Sequence, residues 1–257
     1  MFSQEERTIL NNHQLQEVIC QLRFPDILML NQQQPAQFQD QIRDIFPKFS
    51  VLKETPPPKL SGAPGNVTVE SQPSTPNYQF ISEDGLWKVN LTSKFISLSC
   101  RKYTCWEEFA KMLDKPLAAF IQQYHPAYFT RVGLRYINII SRQALGLAGT
   151  PYRELIQPEY LGLLANEDVI ESSATGCQVD AQIQIRGGCR LKVHAAPTLF
   201  NRNGTPESDT RFILDLDLFM PGNVAINMST GALNTLHSQA FGLFRGAITE
   251  TLFDAMR

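Results

Sequence analysis

The run Phe129-Thr-Arg-Val-Gly-Leu-Arg-Tyr-Ile-Asn-Ile-Ile-Ser141 constrains the fold more than any other stretch, because it is the longest with strand character. Successive side chains of a strand point to opposite faces, so Val132, Leu134, Tyr136 and Ile140 share one face with Asn138. Arg131, Gly133 and Arg135 share the other, and the two guanidinium groups flank a position with no side chain. A strand of this kind predicts a sheet with its core on one side and a presented polar surface on the other.

The segments before and after this strand follow a similar order. Before it, Glu17–Phe24 alternates with Val18, Cys20, Leu22 and Phe24 inward and Glu17, Gln21 and Arg23 outward. Pro35 to Phe46 reads as a short helix, with Pro35 in the first turn and Phe38, Ile42, Ile45 and Phe46 at helical spacing. Residues 48–77 carry Pro56, Pro57, Pro58, Pro64, Pro73 and Pro76, a composition that predicts a long, mobile loop. From Tyr78 to Arg101 the alternation predicts three strands, turning at Asp84-Gly85 and Ser93-Lys94, with Arg101 on the polar phase of the last. Thr104-Cys-Trp-Glu107 reads as a capping box opening a helix to about Gln123, with Pro116 inside its apolar stripe as a kink or break.

After the central strand come a short helix at 151–156 and strands at 176–186, 190–195 and 211–219, with Gly187-Gly188 and Asn203-Gly204 between them. A helix predicted from Ser229 almost to the last residue carries Leu233, Leu236, Ala240, Phe244, Ala247 and Ile248 on its apolar stripe. The expected fold is α+β: duplicated β-α-β-β-β-α halves, about 14–124 and 129–256, forming a single domain with a curved antiparallel sheet. Long helices would cover one face of it. Sheets covered in this way occur in TATA-binding-protein-like and helix-grip folds, an analogy of architecture only.

The five cysteines include no CxxC pair, and Cys20, Cys100, Cys177 and Cys189 fall on the apolar phase of expected strands. That pattern predicts free thiols in a reducing, cytoplasmic setting. A net charge of −2 gives no global attraction for nucleic acid. The first ten residues carry Glu5, Glu6 and Arg7 rather than the basic start and apolar block of a signal peptide. No apolar run approaches the ~18 residues a membrane span needs.

Phosphate-loop, dinucleotide, HExxH and GxSxG motifs are absent from the sequence. No catalytic residue, metal ligand or cofactor is therefore expected. His13, His125, His194 and His237 lack ligand spacing; His237 reads as a satisfied, partly buried histidine and His194 as a solvent-exposed one. Asp215 and Asp217 share one strand face, with Arg190, Lys192 and Arg211 expected as their ion-pair partners. The candidate binding residues are Arg23, Arg101, Arg131 and Arg135 with Glu17, since guanidinium forks hold phosphate or carboxylate bidentately. The plain alternative is a solvated face whose pairs are each worth ~0–1 kcal/mol.

Together, Leu15-Gln-Glu-Val-Ile, Arg23-Phe24, the Trp87 hairpin, Tyr103–Phe109 and above all Thr130–Asn138 resemble a family of prokaryotic proteins of roughly this length and sporadic distribution. The family has no assigned activity to carry over. Its scatter is similar to that of defence-island and mobile-element genes, which implies a regulator or accessory component of a defence or toxin–antitoxin system. Three readings follow from the residues: a protein-interaction module, a nucleic-acid binder using the arginines, and a small-ligand or enzyme domain with a pocket between sheet and last helix. Dimerisation is compatible with the first.

Overall fold

The computed structural model describes residues 2–55, 59–63, 66–70, 74–202 and 205–257, with backbone alone at 54, 59–63, 66–70, 201–202 and 205–209. β1 (Leu15–Arg23) is followed by two short helices, α1 (Met29–Gln32) and α2 (Ala36–Ile42). Next come β2 (Lys48–Glu54), β3 (Lys59–Ala63), β4 (Asn66–Glu70), β5 (Thr75–Ile81), β6 (Trp87–Leu91) and β7 (Phe95–Cys100). α3 (Trp106–Tyr124) leads to β8 (Phe129–Ile140), and short 3-10 turns occupy much of 152–173. The remainder is β9 (Val179–Gln184), β10 (Arg190–Arg202), β11 (Thr205–Val224), α4 (Ser229–Arg245) and α5 (Glu250–Met256).

Nine strands form one antiparallel sheet in the order β2-β5-β6-β7-β1-β8-β11-β10-β9, while β3 and β4 pair with each other. The α+β class expected from the sequence is therefore present. β1 and β8 meet at the middle, with Val18 opposite Tyr136, Cys20 opposite Leu134 and Leu22 opposite Val132, all buried. The inward row continues outward on both sides, through Leu98 and Val89 and through Leu218 and Leu191. α3 packs on β7, α4 on β8 and β11, and α2 against α3. Phe109, Phe120, Leu236 and Leu243 are the buried knobs of these helices, each stabilising the fold by about 1.5–3 kcal/mol. Phe24 stacks on Phe120 at 4.6 Å, and one apolar cluster runs across both sides of the β1–β8 seam.

Several sequence expectations are corrected. Residues 48–77 are not one long loop: β2 pairs with β5 along its length, and β3 with β4. The prolines do not forbid this, because Pro76 lies opposite Lys53 on a part of β5 that β6 does not reach, where no ladder donor is required. Pro56, Pro57, Pro58, Pro64 and Pro73 lie outside the described residues, as does the Asn203-Gly204 turn. The extra strands also depart from the expected β-α-β-β-β-α order.

Thr104 does not cap α3. Cys105 holds the N-cap position without a side-chain cap, the Thr104 hydroxyl bonds Glu108, and Glu107 turns to Arg7. Pro116 sits buried inside α3 without ending it, and His125 closes the helix in the left-handed region at φ 44°. The long last helix is two. Ile248 makes a bridge with Ile156, and the Ala247 carbonyl accepts from Gln157 N–H, which draws the chain out of helical conformation after Gly246. Thr249 then caps α5.

Candidate functional site

The arginines of β8 lie on the polar face, as their phase requires, but the space beside Gly133 is filled. The Arg131 side chain folds along the strand over Gly133, so that a Cβ there would lie 2.7 Å from its Cζ and closer still to one guanidinium nitrogen. From that position Arg131 Nη2 donates to both Asp217 carboxylate oxygens at 2.6 and 2.8 Å, with its guanidinium 4.5 Å above the Phe219 ring. Arg135 forms a pair with two donating nitrogens, Nε and Nη2 bonding Asp215 at 2.5–3.1 Å. Asp215 and Asp217 thus pair with β8, not with Arg190, Lys192 or Arg211. The antiparallel register explains why: Asp217 lies opposite Arg135 and Phe219 opposite Gly133, so both arginines lean the same way along β11.

The two pairs differ in solvation. The Arg131 side chain is 16% exposed and that of Arg135 45%. Burial lowers the Arg131 guanidinium's affinity for its proton despite Asp217, whereas the hydrogen bond to Asp215 raises that of Arg135. Both stay charged at any physiological pH. Neither is a free fork waiting for an anion.

Arg23 is exposed at the end of β1, opposite Arg131, and donates to Gln21, which also accepts from Arg131 at 3.4 Å. Glu17 lies at a bulge of β1 opposite Ile137 and exerts only the weakest of the fields on Arg135. Arg101 falls beyond the last residue of β7, with its backbone tied to Leu86, and is not on the strand as expected. Farther out, a groove is lined by Arg135, Lys192, His194, Asp180, Asp215 and Asp217, and His194 bonds Asp180 at 2.8 Å. Toward the other edge, Ser50, Gln79, Asn90 and Ser97 hydrogen-bond in a row across β2, β5, β6 and β7.

Alternation also sets isoleucines on this face. Ile19 of β1, Ile137 and Ile139 of β8 and Ile213 of β11 all point away from the core and remain partly exposed, with Ile139 opposite Ile213. The sequence carried the signal, because Ile137 and Ile139 follow Arg135 at even spacing. Arginines drew the reading away from them.

A second feature lies on the opposite side of the sheet. Under the helices, a cavity of about 110 Å³ is lined by Tyr136 and Asn138 of β8, Leu216 of β11, Tyr103 and Trp106 near the start of α3, and Ala240 and Phe241 of α4, with residues 7–10 along one side. Arg7 donates to Glu107 at 2.9 Å and meets His237 Nε2 at 2.7 Å, while His237 Nδ1 meets the Tyr136 hydroxyl at 3.0 Å. Tyr136 also meets the Tyr103 ring edge-on, with centroids 6.1 Å apart. Arginine can only donate, so Nε2 accepts, and the ring hydrogen sits on Nδ1 and goes to Tyr136. Burial, reinforced by Arg7, pulls the His237 pKa down to about 4. Burial also pushes Tyr103 up to about 12 and Tyr136 well above the ordinary tyrosine range, so both stay protonated. Trp106 stacks on His237 at 4.7 Å and donates to Asn234. His237 is a satisfied histidine, as expected, but one inside a polar chain that sequence spacing could not reveal, since its members come from four distant segments.

Among the described residues no three His, Cys, Asp or Glu side chains gather as a metal site needs, and no helix is long and apolar enough to cross a membrane. Neither a protein-family model nor any curated protein matches this chain.

Proposed function

We propose that this chain is a non-enzymatic binding protein that seats another protein on the sheet face away from its helices. The observation that carries the reading is the strip of Ile19, Ile137, Ile139 and Ile213 on that face, bordered by the Arg131–Asp217 and Arg135–Asp215 pairs. Apolar side chains set among paired charges, with Ile19 opposite Arg135 and Ile137 opposite Asp215, suit a protein surface. A polynucleotide is disfavoured because each β8 arginine already has its own carboxylate, and the adjoining groove adds Asp180. The resemblance of the central strand to a sporadic prokaryotic family suggests the setting, an accessory role in defence or toxin–antitoxin function.

The strand order also supports reading the fold as a duplication of the TATA-binding-protein-like or helix-grip kind. Outward from the seam, β1-β7-β6-β5 on one side is matched by β8-β11-β10-β9 on the other.

Affinity isolation of the full chain from its native cells tests the binding reading. A stoichiometric protein should co-purify with the wild type and be lost from an Ile139→Glu/Ile213→Glu variant whose melting curve is unchanged. Recovery of nuclease-sensitive nucleic acid, of only further copies of this chain, or of the same partner by the variant would overturn it.

A further inference from the structure

We propose that the cavity under the helices is a binding site for a small, neutral, single-ring molecule carrying a hydrogen-bond acceptor, which the Tyr103 hydroxyl engages. This site lies on the other side of the sheet from the isoleucine strip and does not depend on it. Three properties of the cavity set the ligand's chemistry: its shape and walls, its lack of uncompensated charge, and the direction of its hydrogen bonds.

The walls are apolar and rich in rings, with Trp106, Tyr103, Tyr136, Phe241 and Phe244 around Leu216 and Ala240. Aromatic walls favour a planar body held by offset or edge contacts. A volume of about 110 Å³ leaves room for several waters or one ring with a short substituent. No carboxylate lines the cavity and Arg7 already sets a positive charge on its wall, which disfavours a cation despite the aromatic rings. Arg7 is the one fixed positive group on the lining, and it is bound to Glu107 and to the neutral ring of His237. An anion would give up its hydration without finding a free counter-charge.

Polarity runs one way through the hydrogen bonds: Arg7 donates to His237 and His237 to the Tyr136 oxygen, while the Tyr103 ring meets that of Tyr136 edge-on. The Tyr103 hydroxyl takes part in none of the hydrogen bonds among the described residues, although its ring lines the cavity. Burial keeps this hydroxyl protonated, so it offers a ligand a donor, and the complement is a carbonyl or ether oxygen. The Asn138 side chain gives one N–H to the Leu214 carbonyl at 3.2 Å, and its second N–H is a further donor on the lining. Residues 7–10 form the side wall and are anchored at both ends. Arg7 is pinned by Glu107 and His237, and His13 Nε2 bonds the Tyr103 carbonyl at 2.9 Å. The wall is thus fastened to the residue that would contact the ligand.

Titration of the full chain with acetophenone, ethylbenzene and benzoate tests the assignment, read by Trp fluorescence and by protein-observed NMR. Acetophenone should bind more tightly than ethylbenzene, its partner without an acceptor, and benzoate should not bind. Tyr103→Phe should weaken acetophenone by about 5–10-fold, one hydrogen bond's worth, and leave ethylbenzene unchanged. Ala240→Leu, which fills the cavity from α4, should abolish binding of both neutral probes. Circular dichroism confirms that each variant is folded. Absence of acetophenone binding at millimolar concentration, equal weakening of both probes by Tyr103→Phe, or undiminished binding to folded Ala240→Leu would overturn the proposal. None of these outcomes bears on whether a protein partner uses the other face.

Discussion

Gly133→Ala should destabilise this protein by about 2 kcal/mol, against the sign that strand preference gives. Glycine in a strand interior is weaker than alanine by roughly 0.5–1 kcal/mol, so propensity alone predicts a gain. The added methyl would collide with the Arg131 guanidinium, which would have to leave Asp217 and the Phe219 ring. Breaking a largely buried pair in this way strands a carboxylate and a cation that have given up water, at a cost of several kcal/mol when burial is complete. The Asp217 side chain keeps 21% of its surface, so the loss should be smaller than that limit. For a chain of this length, about 2 kcal/mol lowers the melting midpoint by roughly 4–8 °C. In an Arg131→Ala background the obstacle is gone, and Gly133→Ala should become neutral or stabilising. A melting midpoint that rises in the wild-type background would show that Arg131 does not depend on this space.

Acid should weaken the fold through His237. In the unfolded chain this histidine takes up its proton near 6.5, and in the folded chain only near 4, because burial and Arg7 oppose the charge. Between those values the unfolded state holds more protons, so stability falls as pH drops through that window and is fully present above it. Each unit of difference corresponds to about 1.4 kcal/mol, and partial exposure of the ring reduces the whole to about 1–2 kcal/mol. Protonation also sets an N–H against the Arg7 guanidinium, which should release residues 7–10 from the cavity. Urea unfolding at pH 7.5 and 4.5 separates this from general acid effects on carboxylates. His237→Gln should lose less stability than the wild type between the two values, and parallel losses would exclude His237 as the cause.

The sequence made most of the sheet legible because the signal there is local. Residues 78–100 alternate cleanly and turn at Asp84-Gly85, and they form β5, β6 and β7 close to the expected bounds. The inward set of β8 is likewise the one its period demanded. Three strands of the expected loop, β2, β3 and β4, were missed for the opposite reason. In β2, Phe49 and Val51 stay partly exposed at a sheet edge, so their alternation was faint beside the prolines that follow. The break after Arg245 was hidden because Ala247 and Ile248 continue the apolar stripe. Only their contacts with residues 156 and 157 disclose that they have left the helix.

Of the candidate site, the facing of each arginine could be read and its state could not. Whether Arg131 is free depends on which residue of β11 stands across from Gly133, a matter of register between strands far apart in the chain. The cavity was foreseen only as one of three alternatives. Its polar chain joins Glu107, Arg7, His237 and Tyr136, which no spacing rule connects.

The seam between β1 and β8 bears on how the chain comes to be folded. β1 spans residues 15–23, yet its two neighbours are β7 and the later strand at 129–140. During synthesis the first strand leaves the ribosome long before either partner exists, so its apolar edge must wait in solution or in the care of a chaperone. Joining the sheet's middle is among the most non-local steps in the molecule, and loop closure of that span makes it slow. Refolding should therefore pass through a species whose outer strands are protected from hydrogen exchange before the amides of Val18, Cys20 and Leu22 are.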